Sequence, residues 1–240
     1  MRVSKRRVRA IFRKELREYR RNGNIVYAMA ILPLVFMIQP IVEVFTLPDS
    51  ASVALHREHS LLYMLAIPVL VPAALAAYAV VGERLQGTLE PVLATPIRRE
   101  ELLLGKALAA FVPAVSVAYL VFALYVAVVE LFAHAVVANA VIQGPELLVQ
   151  LIFTPLLASW SIWVGIGISA RARDPRTAQQ LAILASLPTV AITTMTAFNV
   201  IPAELPVALA FGAGLVILSR VGWRVTSAIF DREKLITGTK

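Results

Sequence analysis

Three histidines, 15 carboxylates and no cysteine are the groups from which this 240-residue chain could build a reaction centre. Without cysteine there is no disulfide, no thiolate metal site and no sulfur nucleophile. Two histidines fall in His56-Arg57-Glu58-His59, where imidazoles at i and i+3 have the spacing of a metal pair. Further ligands are missing beside them, so the segment reads as a solvated loop and no metal site is expected. Intramembrane hydrolysis would need a nucleophile and a base in hydrogen-bond range. His56, His59 and His134 all fall between the apolar stretches of the chain, and no such stretch has an acidic residue near its middle. A phosphate-binding loop is also missing: the Gly-Lys pair Gly105-Lys106 has Glu100, not glycine, five residues before Gly105. No catalytic or cofactor-binding residue is expected in this chain.

Two further carboxylates, Glu43 and Glu130, sit within about three residues of the ends of apolar stretches. An ion-coupled carrier would place its ionisable groups near the membrane midplane, where an uncompensated charge is costly. At their actual positions Glu43 and Glu130 read as interfacial groups, or as the lining of a pathway's outer exit. A secondary carrier or channel built on these two residues is the alternative function.

The elements that hold these residues are set by composition. Hydrophobic residues make up 59% of the chain and charged ones only 16%, and the mean hydropathy is +0.76. A soluble domain carries about 25% charged residues, so this chain has too little polar surface to solvate a globule. Six stretches are long enough to cross a hydrocarbon core of about 30 Å. They are Ile25–Phe45, Leu61–Val81, Ala107–Phe132, Leu147–Ala170, Ala178–Phe198 and Leu205–Trp223. The expected fold is therefore an all-α integral membrane protein, a single transmembrane domain over residues 1–240. Within it, 1–24 precedes the spans, 25–223 holds the six-span bundle with a long loop at 82–106, and 224–240 forms a tail. The first apolar run is full length and follows 24 polar residues, which predicts a retained span and not a cleaved leader.

Charge orients the bundle. Of the 23 Lys and Arg residues, 22 lie in the N-terminal tail, the second and fourth loops, and the C-terminal segment; only Arg57 lies on the other side. The positive-inside rule then predicts a multi-pass protein of the cell membrane with both termini cytoplasmic. The net charge of +8 is thus a topology signal, and no nucleic-acid partner is expected. Seven prolines fall inside five of the spans, Pro33, Pro40, Pro68, Pro72, Pro113, Pro155 and Pro188. Each removes a backbone hydrogen bond and favours a kink.

On the predicted cytoplasmic side, Val8, Ile11, Phe12, Leu16 and Tyr19 fall within an arc of about 140° at helical pitch, and arginines fill most of the remainder. That pattern predicts an interfacial helix with its apolar face in lipid and its basic face near anionic headgroups. In the loop 82–106, Thr95 has the chemistry of an N-cap and Pro96 that of a first helical residue, with Glu100 and Glu101 at the helix start. A short helix around Leu89–Ala94 is expected before that break.

The same loop reads Glu-Arg-x-x-Gly-Thr-Leu-Glu-x-x-Leu-Ala-Thr-Pro from Glu83 to Pro96, followed by Glu101 and by Leu-Leu-Leu-Gly-Lys ending at Lys106. In this it resembles the membrane (permease) subunits of type 2 ATP-binding-cassette (ABC) exporters. Arg98 departs from the family, which more often has a small or polar residue two places after the proline. The resemblance implies a coupling helix seated on an ABC ATPase subunit, with docking assigned to Glu83, Arg84, Glu90, Leu93, Thr95, Pro96, Arg98 and Glu101. It also implies two ATPase copies that bind ATP-Mg, a second permease chain, homodimeric or heterodimeric, and export driven by hydrolysis on the partner.

Overall fold

The computed structural model describes residues 3–46, 59–87 and 97–229. Among them the chain is helical, with no strand. Helix α1 (Lys5–Arg21) leads into α2 (Gly23–Thr46). The second span is segmented into α3 (Ser60–Tyr63), a 3-10 turn (Met64–Ala66), α4 (Ile67–Ala77) and α5 (Val81–Leu85). Then come α6 (Arg99–Phe132), the short α7 (Ala135–Val141), α8 (Gly144–Arg171), α9 (Pro175–Ala197) and α10 (Leu205–Ile229). Six of these segments, the divided second span included, are long and apolar enough to cross a membrane.

The second span is divided. Pro68 and Pro72 each remove an amide donor, and the helix gives way to a turn at residues 78–80 before α5 resumes it. This broken span is the centre of the bundle: 94% of its most apolar window is buried, against 6–39% for the other five. Small side chains allow that enclosure. A Cβ on Gly165 of α8 would lie 2.6 Å from Ala76 Cβ and 3.1 Å from the Ala73 carbonyl oxygen, so the two backbones nearly touch. On the other side of α8, Gly222 of α10 lets Trp163 approach, and Trp163 meets Trp223 edge-on at 4.9 Å.

Three expectations change at the ends of elements. The third span runs the full Arg99–Phe132, eight residues longer at its start than the apolar run, so residues 99–106 are helix and not loop. Its N-cap is Arg98 in extended backbone, not Thr95, because Glu101 reaches back to accept from the Arg98 amide at 3.1 Å. The last helix continues past Trp223 to Ile229. The expected helix around Leu89–Ala94, like Thr95 and Pro96 themselves, lies outside the described residues.

Candidate functional site

Helix α1 forms as predicted, but its apolar row faces protein. Ile11, Glu15 and Tyr19, spaced by four, are 6%, 2% and 5% exposed. The row lands on α6 at Gly105, where a Cβ would lie 2.6 Å from Ile11 Cβ. The expectation of an apolar face in lipid is therefore corrected for Ile11 and Tyr19; Val8, Phe12 and Leu16 of the same face are half-buried. The physical reason is Glu15: in the middle of that row a carboxylate facing hydrocarbon would have no counter-charge, and α6 supplies one.

That counter-charge is Lys106, wholly buried. Its ammonium donates to Glu15 Oε1 at 2.7 Å and to the Ala79 carbonyl at 2.6 Å, and it pairs with Glu83 Oε2 at 2.6 Å. One ammonium thus joins α1, the turn in the second span and α5, through two hydrogen bonds and an ion pair. Lys14 extends the cluster to Glu83 and, at 3.2 Å, to Glu18. The carboxylates of Glu15, Glu18 and Glu83 come within 4.8 Å of one another, a spacing compatible with a cation, but each already pairs with Lys14 or Lys106.

Titration follows from this crowding. Burial pushes the Glu15 carboxyl above its ordinary range, against the pull of Lys106. Burial and then the Glu15 charge raise the Tyr19 phenol. Lys14 goes above its usual range: burial works to lower it, and the Glu83 hydrogen bond with the surrounding carboxylate charge outweighs that.

A second carboxylate ties the start of α6 to the start of α1. Glu101, 1% exposed, accepts from the Arg98 amide, from the Ser4 amide at 2.8 Å and from the Arg7 guanidinium at 3.3 Å. Two helix N-termini therefore share one capping group. On the facing side Arg84 donates to the carbonyls of Ala170 and Ala172, at 2.9 and 3.1 Å, which closes the C-terminal end of α8. Ser169 accepts from the amides of Val80 and Val81 and donates to the Ala77 carbonyl at 2.7 Å, so the turn between α4 and α5 is bonded to α8. Gly87 leaves α5 with φ +67°, a left-handed conformation that glycine adopts without strain. The chain then enters residues 88–96, outside the described residues, and returns at Ile97.

Both roots of that segment are thus held: one by Glu83 and Arg84, the other by Glu101 and Lys106. Of the eight residues assigned to docking, Glu90, Leu93, Thr95 and Pro96 lie outside the described residues. Arg98 is half-buried beside them. Arg84 is engaged with α8, and Glu83 and Glu101 are 4% and 1% exposed and paired within the chain. That placement differs from an exposed docking surface: these two carboxylates hold helices together in this structure.

Glu43 and Glu130 sit away from this cluster. Glu43 is half-buried and accepts from the Gln39 amide at 3.2 Å; Glu130 is exposed near the end of α6. His56 lies outside the described residues. His59 is not a solvated loop residue: its Nδ1 lies 2.7 Å from Glu146 Oε1, and its amide donates to the Ala197 carbonyl at 2.9 Å. Sequence reasoning missed Glu15, Lys106 and Glu146. For Glu15 and Lys106 the available signal was a charged residue inside a row of helical period that is otherwise apolar; Glu146 instead heads a row that is mostly polar.

The family model described as ABC-2 family transporter protein matches residues 9–213. No curated protein matches the chain.

Proposed function

The chain belongs to the ABC-2 family of transporter proteins and is a multi-pass membrane component of an ABC transporter; from that premise we propose that it is the permease of an exporter, driven by a separate ATPase subunit docked on residues 88–96. ATP-Mg would bind only on that partner. Two copies of the ATPase and a second permease chain complete the assembly, with both termini and the docking loop on the cytoplasmic side of the cell membrane.

The observation that carries this reading is the anchoring of the loop's two roots. A nucleotide-driven partner can bias a membrane bundle only if it binds two of the bundle's arrangements unequally and if its push is delivered to the spans. A loop on slack ends would absorb the push. Here one root passes into the enclosed second span through Glu83 and the other into the third span through Lys106, and the two side chains meet at 2.6 Å. Motion imposed at 88–96 would reach both spans and α1 together. Docking contacts then belong to the segment itself, to Glu90, Leu93, Thr95, Pro96 and Arg98. Glu83, Arg84 and Glu101 position it.

The decisive experiment is affinity purification of the tagged chain in mild detergent, with ATP hydrolysis assayed in the eluate. A soluble ATP-binding subunit should co-purify with the unaltered chain. It should be lost from the Glu90→Arg, Leu93→Asp double variant, which should still insert normally. Transport that persists without nucleotide, in a chain that elutes alone from detergent and from lipid nanodiscs, would overturn the proposal.

A further inference from the structure

Helix α8 carries a row of side chains that packing alone does not explain. Glu146, Gln150, Thr154, Leu157 and Ser161 fall within an arc of about 80° at helical pitch, and each is at most 4% exposed. The row faces the second span. At one end Glu146 meets His59, which precedes α3; at the other, Gly165 touches Ala73 and Ala76, and Ser169 bonds Ala77, Val80 and Val81. The residues between therefore look onto the same broken helix.

Gln150 Oε1, Thr154 Oγ1 and Ser161 Oγ of this row have no hydrogen-bond partner among the described residues. A hydroxyl on a helix has an easy remedy, the carbonyl three or four residues back. The neighbouring helix uses it: Ser186 donates to Ala182, Thr193 to Val190 and Thr196 to Ile192. Thr154 and Ser161 do not. Inside a membrane bundle neither lipid nor a dry neighbour can satisfy them, so each carries an unrelieved desolvation cost in the closed arrangement. The ligand chemistry that fits single hydroxyl and amide oxygens spaced about one and two helical turns apart is water.

We infer that this face of α8 is the wall of a hydrated lane, which fills with water when α8 and the second span part, and which the His59–Glu146 pair closes at the end remote from α1. In the arrangement seen here the lane is shut. The inference does not depend on which side of the membrane that end faces, nor on the identity of any partner subunit.

The chain has no cysteine, so single cysteines report directly. Thr154→Cys and Ser161→Cys are compared with Ile162→Cys, which is 1% exposed but off the row. The probe is a small thiosulfonate reagent with a permanent positive charge, supplied to both faces of membrane vesicles containing the full chain. The two lane positions should react at least about tenfold faster than Ile162→Cys, and His59→Ala should accelerate Thr154→Cys severalfold. Equal, slow reaction at all three positions would overturn the lane, and indifference to His59→Ala would overturn its closure. Hydroxyl-radical footprinting of the unaltered chain needs no substitution. Leu157, 0% exposed, should be oxidised well above Ile162, and equal protection of the two would also overturn the lane.

Discussion

Lys106 is the residue on which the loop's anchorage turns. A buried ion pair adds little net stability when intact, but removal of one partner strands the others. In Lys106→Ala, Glu15 and Glu83 would keep only the one-third-exposed Lys14 between them, and the expected loss is about 3 kcal/mol, read as a lowered melting temperature in detergent. Lys106→Met should be nearly as costly, because the stranded carboxylates and not the lost volume set the penalty. Exchange of the pair, Glu15→Lys with Lys106→Glu, should recover part of the loss. Recovery would establish charge complementarity, and none would mean that the Glu83 and Ala79 contacts dominate. Lys14 plays a lesser part, since it is one-third exposed and its pairs are open to solvent screening.

At the level of elements, α1 is held to α6 by shape as well as charge. Gly105→Ala would place a methyl group 2.6 Å from Ile11 Cβ, and the expected cost of that overpacking is about 1–3 kcal/mol. Ile11→Gly in the same chain should relieve the clash, because the Cβ and Cγ2 that meet the new methyl group are then both gone. Protease access to the arginines of α1 is the readout: the segment should become cleavable in Gly105→Ala and be protected again in the double variant. The existence of all six spans was legible in the sequence, because length and hydropathy are enough to specify a membrane helix. So was the periodicity of α1. What α1 packs against was not legible. An apolar helix face looks the same whether lipid or protein covers it, and the distinguishing mark, Glu15, needed Lys106 from 91 positions away to be understood. The start of α6 was misplaced for a related reason. Thr95-Pro96 is a sound local start signal, and a capping carboxylate three residues past Arg98 overrode it.

Taken whole, the chain is a bundle wrapped around its second span, with charge gathered at one end. The proposed orientation makes that end cytoplasmic, which can be checked in the native cysteine-free background. Gln143→Cys and Ala203→Cys should label in intact cells with a membrane-impermeant maleimide, and Gln86→Cys should not. The reverse pattern would invert the bundle and move the docking loop outside. The enclosure of the second span also bears on how the protein is made. Synthesis runs from the N-terminus, so this segment enters the bilayer when only the first span is present, and its hydropathy of 2.3 equips it to reside in lipid unaided. Its lasting neighbours α8 and α9 are translated later. For that interval lipid covers a surface that will finally belong to protein, including the turns broken by Pro68 and Pro72. A chain that stalls before Gly144 would leave this surface uncovered, a flaw that membrane quality control can recognise. The centre of the finished molecule is thus the last part to be hidden.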